Sequence, residues 1–155
     1  LRARRRPRTY AAGMTRFGID APTFLAVVRD GRTIDPAHQL VAPGSLRTDA
    51  LELLLTEVRE GRLDDREALA LHERLTEIKV RLLGDRVSRR TAWDLARRHG
   101  WADLRDAEVL AVTRLQADAL VTVVRELAAK ADGIVALAAL DDLWDADRGA
   151  REPRP

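Results

Sequence analysis

The sequence predicts an α/β fold in which helices flank a central parallel sheet. Short apolar runs that fit buried strands alternate with longer segments whose leucines and alanines recur every three or four residues. Strands that alternate with helices favour a parallel sheet, because each crossover helix returns the chain to the same edge. The length of 155 residues, 46% of them hydrophobic, suits one domain with a sizeable core.

The first two strands and the first helix are indicated by short apolar runs. The run at 17–19 predicts a buried strand. A helix at 22–29 follows, with Pro22 in its first turn, where no amide donor is needed. A second strand is expected at 40–42, where Pro43 and Gly44 stop it.

Two longer helices are expected next. Ser45 is a suitable N-cap for a helix at 45–60. Asp64 is a suitable N-cap for a helix at 65–83, whose leucines and isoleucine recur at helical spacing.

The second half of the chain continues the alternation of helices and strands. Ser88 is expected to cap a helix at 89–99, and Asp103 a helix that ends near residue 115. The remaining expected elements are a strand at 119–124, a short helix at 125–131 and a last strand at 134–137.

Basic residues are concentrated at the start of the chain. Residues 1–16 contain six arginines and no acid, and residues 144–155 contain three arginines and three acids. Because the whole chain has a net charge of +2, the body at 17–143 carries −4, which argues against a broad surface for non-specific nucleic-acid binding. We expect a disordered extension at 1–16, a folded domain at 17–143 and a loose tail at 144–155. Alternatively, the extension contacts RNA or DNA, or is a translated stretch upstream of a start at Met14.

The composition excludes several chemistries. The absence of cysteine excludes disulfides, thiolate metal sites and cysteine nucleophiles. No apolar run reaches the roughly 18–20 residues of a membrane span, so a cytoplasmic protein without a membrane partner is expected. The histidines lack the spacing of metal ligands, and no glycine-rich loop of the phosphate-binding kind follows a strand. Trp93 and Trp101 are expected to be packing residues.

Three aspartates remain as candidates for chemistry. Asp20 directly follows the first strand, and Asp106 opens an apolar segment of a later helix. Asp49 lies between Leu46 and Leu53 on an apolar helical stripe. A buried carboxylate is costly unless it is paired, hydrogen-bonded or bound to metal. Ligands of parallel sheets bind beyond the carboxyl ends of the strands, so the three aspartates are expected to converge at one site.

Two of these aspartates also have a purely structural explanation. Asp20 is positioned to cap the first helix, and Asp106 to complement a helix dipole. Asp49 lies inside a helix and is expected to project toward the packed side, where capping does not explain it. Oxygen ligands of this kind suit Mg²⁺ or Mn²⁺.

Four segments of the chain resemble the PIN-domain ribonucleases, and among them the VapC-type toxins of toxin–antitoxin pairs. They occur in the order typical of that family and lie within 17–143. The segments are Phe-Gly-Ile-Asp-Ala at 17–21, Leu-Val-Ala-Pro at 40–43 leading to Leu-Arg-Thr-Asp-Ala-Leu at 46–51, Arg-Asp-Ala-Glu at 105–108 followed by Leu-Ala at 110–111, and Ala-Leu-Val-Thr at 119–122. The resemblance implies a PIN-like three-layer sandwich, with Asp49 where the family more often has glutamate.

The resemblance also implies metal-dependent hydrolysis of RNA phosphodiester bonds. Asp20 and Asp106 would hold Mg²⁺ or Mn²⁺ directly or through water, and Asp49 would hold the ion or its hydration shell. Thr122 would hydrogen-bond an aspartate or a water, or else be an ordinary strand threonine. The family pattern has an acid two positions after this threonine, where this chain has Val124; Glu108 is a weak substitute, since it points in another direction from Asp106.

The resemblance leaves three functions open. The first is an endoribonuclease toxin that a cognate antitoxin neutralises. The second is a degenerate PIN domain that binds RNA or an antitoxin without cleavage, and the third is an unrelated α/β domain whose aspartates are caps. A homodimer formed through the helices at 45–60 and 65–83 is expected, with a groove for an antitoxin segment. Arg47, Arg105 and Arg125 are either RNA-phosphate contacts or solvated surface residues.

Overall fold

The structure is a computed structural model that describes residues 13–145. The predictions for residues 1–12 of the basic extension and 146–155 of the tail lie outside these residues. The described chain contains five strands: β1 at Thr15–Ile19, β2 at His38–Pro43, β3 at Val80–Leu83, β4 at Ala119–Val121 and β5 at Leu137–Ala138. All strand pairs are parallel, and the order across the sheet is β3-β2-β1-β4-β5.

Helices connect the strands and cover the sheet. They are α1 at Ala21–Asp30, α2 at Leu46–Arg59, α3 at Asp65–Glu77, α4 at Arg86–His99, α5 at Arg105–Gln116 and α6 at Arg125–Ala131, with a 3-10 turn at Leu140–Leu143. No helix within residues 13–145 has both the length and the apolar character that crossing a bilayer requires.

Two apolar cores lie on opposite faces of the sheet. Phe17 and Ile19 of β1 pack with α1, α2 and α3 in one core. Leu120 of β4 packs with α4, α5 and α6 in the other, whereas its neighbours Ala119 and Val121 belong to the first. Successive strand residues therefore point to opposite faces, as the two-residue period of a strand requires. The predicted α/β fold with a parallel sheet between two helical layers is confirmed.

A close contact between β1 and α5 fixes the spacing of the second layer. A Cβ atom added to Gly18 would lie 1.9 Å from Oγ1 of Thr113, well inside van der Waals contact. Thr113 is buried and donates this hydroxyl to the carbonyl oxygen of Val109 at 2.7 Å. The glycine thus allows α5 to lie directly against the backbone of the central strand.

The strand order creates a switch point beside β1. From β1 the chain moves outward through β2 to β3, and it then returns to the other side of β1 with β4 and β5. The connections on the two sides of β1 therefore lie on opposite faces of the sheet, and a crevice opens between them at the carboxyl ends of the strands.

The prediction of one helix at 65–83 is wrong. α3 ends at Glu77, and β3 follows as the edge strand of the sheet. The leucines of β3 fit helical spacing relative to those of α3, which is why the periodicity does not separate them. The backbone of Ile78 is extended and pairing with β2 completes the edge, so tertiary contacts override the local pattern.

Several helix starts differ from the prediction. α4 begins at Arg86, and its N-cap is Asp85, which accepts a 2.7 Å hydrogen bond from the backbone N–H of Ser88. The N-cap position of α5 is occupied by Leu104 rather than Asp103. The predicted cap of α3 is confirmed, since Asp64 forms a capping box with Glu67.

The strand limits and the start of the tail also differ. β1 begins at Thr15, two residues before the predicted strand, and β4 ends at Val121 rather than 124. β5 occupies Leu137–Ala138 instead of 134–137. Trp144, which was expected to begin a loose tail, is buried and forms an antiparallel bridge with Ile34. Trp93 is also unlike the prediction, because 56% of its surface is exposed.

Candidate active site

A cleft of about 130 Å³ opens at the carboxyl ends of β1 and β2, beside the switch point. All three candidate aspartates, Asp20, Asp49 and Asp106, line it. They come from the end of β1, from α2 on one face of the sheet and from α5 on the other. The apolar part of its wall is formed by Ala21, Pro22, Pro43, Leu46, Leu53, Val109 and Val124.

A larger groove of about 610 Å³ lies at the opposite end of the sheet, near the start of β2. Its lining includes His38 at the start of β2 and Glu77 at the end of α3. It contains one acidic residue and none of the candidate aspartates. The smaller cleft is therefore the better candidate for chemistry, because carboxylates from separate segments meet there.

Asp20 is the most tightly held carboxylate of the cleft. It is 5% exposed, and its Oδ1 accepts a hydrogen bond from the hydroxyl of Thr23 in α1. Its Oδ2 accepts a 3.2 Å hydrogen bond from the hydroxyl of Thr122, which follows β4. The backbone N–H groups of Val123 and Val124 donate to the oxygens of Thr23 and Thr122, each at 3.0 Å. Both hydroxyl protons are therefore directed at Asp20.

The Asp20 side chain does not cap α1. Asp20 occupies the N-cap position with an extended backbone, but its side chain makes no capping hydrogen bond. The backbone N–H of Phe24 donates to the carbonyl oxygen of Asp20 at 2.9 Å, whereas the side chain accepts from the hydroxyl of Thr23 and not from a backbone N–H of the helix. The carboxylate is turned to the cleft instead, so capping does not explain this residue.

Burial raises the pKa of Asp20 above its ordinary value of 3.8. The hydrogen bonds from Thr23 and Thr122 act in the opposite direction, since they favour the charged carboxylate, and the charge of Asp106 adds to the raise. The charge of Asp106 therefore acts on Asp20 even though the two residues are far apart in sequence.

Asp49 lies in the first turn of α2, at the wall of the cleft. Its Oδ2 accepts a 2.9 Å hydrogen bond from the hydroxyl of Ser45. Ser45 occupies the N-cap position as predicted, but its hydroxyl is directed to Asp49 and makes no capping hydrogen bond. The expected projection of Asp49 toward a packed side is partly met, because the residue is half-buried.

Asp106 lies in the first turn of α5 and forms a partly exposed ion pair with a residue of α6. Its Oδ2 is 2.8 Å from Nζ of Lys130, in the last turn of α6. This hydrogen bond raises the pKa of the Lys130 ammonium. The same Nζ lies 5.4 Å from the ring centroid of Trp101, and this ring also stacks on His99 at 4.8 Å. Asp106 is thus paired with Lys130, a contact that was not predicted from the sequence.

Val124 faces the cleft, as predicted for the position where the family pattern has an acid. Glu108 does not replace that acid, because it lines a neighbouring cavity of about 170 Å³ beside β3 and α4. Val124 is also the N-cap residue of α6 and makes no side-chain capping bond.

The donors of the cleft suit a divalent cation in their chemistry. Three carboxylates and the hydroxyl of Ser45 line the cleft, and they offer oxygen atoms, which Mg²⁺ and Mn²⁺ prefer. Their arrangement is looser than a formed metal site: residues 13–145 contain no group of three or more histidine, aspartate or glutamate side chains positioned to hold an ion. In this looser arrangement, the carboxylate of Asp106 is paired with the ammonium of Lys130.

Of the three candidate arginines, Arg105 lines the cleft. It is exposed, with Nη2 4.0 Å from Oε2 of Glu52. Arg47 is directed elsewhere, since its Nη2 donates to the carbonyl oxygen of Ile78 at 3.4 Å. Arg125 is exposed at the start of α6 and is not part of the cleft lining.

Sequence reasoning missed two residues of the site, Thr23 and Lys130. Thr23 stands three residues after Asp20, which is one helical turn. A hydroxyl at that spacing from a candidate acid could have predicted the hydrogen bond between them. Lys130 had no such signal, because its contact with Asp106 spans 24 residues and depends on how α5 and α6 pack.

No protein-family model and no curated protein matches the chain. Among solved structures, the chain is similar to the crystal structure of PAE2754 from Pyrobaculum aerophilum, with a TM-score of 0.62 and 24% sequence identity. The likeness covers 90% of this chain and 99% of that chain. At this identity the comparison shows a shared fold.

Proposed function

We propose that this protein is a metal-dependent endoribonuclease of the PIN-domain type, a toxin that a cognate antitoxin neutralises. The observation that carries the proposal is the meeting of Asp20, Asp49 and Asp106 in one cleft at the carboxyl edge of a parallel sheet. The choice of RNA as substrate rests on the resemblance of four ordered segments to that family.

The residues of the cleft have distinct roles in this proposal. Asp20, which accepts hydrogen bonds from Thr23 and Thr122, would be a ligand of the ion, and these two bonds would orient its carboxylate. Asp106 and Asp49 line the cleft from opposite layers and would complete the donor set. The bound ion would lower the pKa of a water and offset charge on the scissile phosphate. Arg105 is exposed at the cleft and would contact a neighbouring phosphate.

A second function is favoured by Val124. A valine supplies no ligand where the family pattern has an acid, and Lys130 already partners Asp106. Both features reduce the negative charge available to a cation. The alternative is therefore a degenerate PIN domain that binds RNA or an antitoxin and does not cleave.

The third interpretation, in which the aspartates are only caps, has less support. The side chain of Asp20 makes no capping bond. Asp49 accepts from a serine hydroxyl and Asp106 from a lysine ammonium.

The proposed partners include a second copy of the chain and an antitoxin segment. Leu51 and Leu55 are one turn apart on α2 and are 38% and 56% exposed, and Leu69 on α3 is 57% exposed. Exposed leucines on neighbouring helices favour a helical contact surface. The groove for an antitoxin helix or extended segment remains part of this proposal.

The decisive experiment is cleavage of a structured RNA with Mg²⁺ or Mn²⁺, compared with the same reaction in a chelator. We expect metal-dependent cleavage by the parent and a loss of about 100-fold or more in Asp20→Asn. Asp94→Asn is the matched control, because Asp94 is an exposed aspartate on α4 outside the cleft. RNA that is bound and left intact by both the parent and the control would favour the non-cleaving alternative.

A further inference from the structure

The ion pair between Lys130 and Asp106 joins the candidate site to a helix that supplies no acid to it. Nζ of Lys130 lies 2.8 Å from Oδ2 of Asp106, and the two side chains are 30% and 32% exposed. Asp106 lines the cleft with Asp20 and Asp49. A positive charge is therefore held against one of the three carboxylates on which cation binding would depend.

The positively charged residue of this ion pair is a lysine, which is a rare residue in this chain. Of its 27 basic residues, two are lysines, Lys79 and Lys130, and the others are arginines. A guanidinium holds a carboxylate through two parallel hydrogen bonds, whereas an ammonium is a compact point charge on a flexible stem. A lysine at this position can therefore leave the carboxylate with a smaller loss of directed bonds than an arginine.

The ion pair is weak enough for the Lys130 ammonium to bind Asp106 reversibly. An ion pair this exposed contributes little to stability, so a doubly charged cation can displace the ammonium. While the ammonium remains, it occupies Oδ2 of Asp106 and repels an incoming cation. Both effects lower the affinity of the cleft for a divalent ion.

We propose that the Lys130 ammonium and a divalent cation are alternative partners of Asp106, so that Lys130 sets how readily the cleft takes up its metal. The inference deepens the proposed function and rests on it in one respect, since it takes the cleft as a divalent-cation site. Its ligand class is a hydrated divalent cation, and Mn²⁺ is the probe.

The test is Mn²⁺ binding to the full chain, measured by electron paramagnetic resonance of free Mn²⁺ or by calorimetry, without RNA. We expect Lys130→Met to bind Mn²⁺ about 3- to 10-fold more tightly than the parent. Lys79→Met is the matched control: it removes the same charge, but Lys79 lies beside the groove at the opposite end of the sheet. Lys130→Arg keeps the charge and is expected to bind no more tightly than the parent.

Each outcome decides the proposal. Tighter binding in Lys130→Met alone supports it, and so does binding that appears only in that variant. Equal affinity in the parent and Lys130→Met overturns the proposal and leaves the ribonuclease function standing. An equal gain in Lys79→Met also overturns it, because the effect would be general to net charge. Absence of Mn²⁺ binding in every variant overturns both the proposal and the metal dependence of the proposed function. Lys130→Gln replaces Lys130→Met if thermal unfolding shows that the latter is not folded.

Discussion

The hydroxyl of Thr122 donates a 3.2 Å hydrogen bond to Oδ2 of Asp20, a residue 102 positions away in the chain. The bond joins the ends of β4 and β1 across the switch point of the sheet. Thr23 holds the other carboxylate oxygen, and the backbone of Val123 and Val124 donates to both hydroxyls. Asp20 is therefore positioned by its local helix and by a distant strand at once.

Removing the Thr122 hydroxyl tests this arrangement. Thr122→Val keeps the shape of the side chain but leaves the backbone N–H of Val124 and Oδ2 of Asp20 without this partner. We expect the free energy of unfolding to fall by about 1–3 kcal/mol, measured by urea denaturation. Thr122→Ser retains the hydroxyl and is expected to lose less than half as much. Equal losses in the two variants would show that the methyl group, not the hydrogen bond, is important.

Asp20→Asn is expected to stabilise the protein at neutral pH by about 0.5–2 kcal/mol, at the cost of activity. Because burial raises the pKa of Asp20 above 3.8, the folded state binds this proton more tightly than the unfolded state. The stability that protonated Asp20 contributes is therefore fully present below pH 3.8. It is lost as the pH rises through the pKa that Asp20 has in the folded state.

The measurement for Asp20 is chemical denaturation of the parent and of Asp20→Asn between pH 3 and pH 8. The advantage of the asparagine variant should grow as the pH rises through that window, since asparagine does not titrate. A difference in unfolding free energy that stays constant with pH would contradict the argument.

The α/β class and the convergence of the aspartates could be predicted because both depend on local pattern. Asp20 directly follows an apolar strand, and strand ends of a parallel sheet meet at one edge. β3 could not be separated from α3, because Leu75, Ile78 and Leu82 continue a helical period and the strand lies half-exposed at the sheet edge. Pairing with β2 decides its structure, and pairing is a tertiary property.

Lys130 illustrates the other limit of prediction. Its partner in α5 is set by the packing of two helices, and neither the spacing nor the composition of the sequence records that packing. The same holds for the cap of α4, where Ser88 was predicted and the structure has Asp85.

Gly18→Ala is expected to destabilise the fold by about 1–3 kcal/mol. The added methyl group would lie 1.9 Å from Oγ1 of Thr113, so α5 would have to move away from β1. Denaturation of the single variants and of the double variant Gly18→Ala with Thr113→Ala measures the coupling. The double variant should recover part of the unfolding free energy that Gly18→Ala loses. If the losses of the two single variants simply add, the strain does not arise from the contact between Gly18 and Thr113.

Val124→Asp is expected to strengthen Mn²⁺ binding and to raise the cleavage rate, because it adds a carboxylate to the cleft. The stability cost of an acid at this half-buried position should be small, since Val124 is the N-cap of α6 and aspartate is a preferred N-cap. Mn²⁺ affinity, cleavage rate and thermal unfolding are compared with those of the parent. If the parent cleaves and Val124→Asp gains neither affinity nor rate, the cleft functions with three acids.

Leu55→Glu is expected to weaken self-association. Leu55 is 56% exposed on α2, one turn after Leu51, and a charge there opposes burial at a helical interface. Sedimentation velocity of the parent should show a dimer that dissociates in the variant. Val87→Glu is the control, because Val87 is 60% exposed on α4. A parent that stays monomeric at high concentration would remove the dimer from the proposal.

The central place of β1 in the sheet has a consequence for the timing of synthesis. β1 emerges first from the ribosome, but its neighbour β4 is about a hundred residues later in the chain, and α6 with Lys130 follows β4. Loop closure over such a distance makes this pairing a late event in folding. A nascent chain that ends before β4 carries Asp20, Asp49 and Asp106 without Thr122 or Lys130. The cleft is therefore completed only when nearly the whole domain has been translated, because a shorter chain lacks the partners that Asp20 and Asp106 find in Thr122 and Lys130.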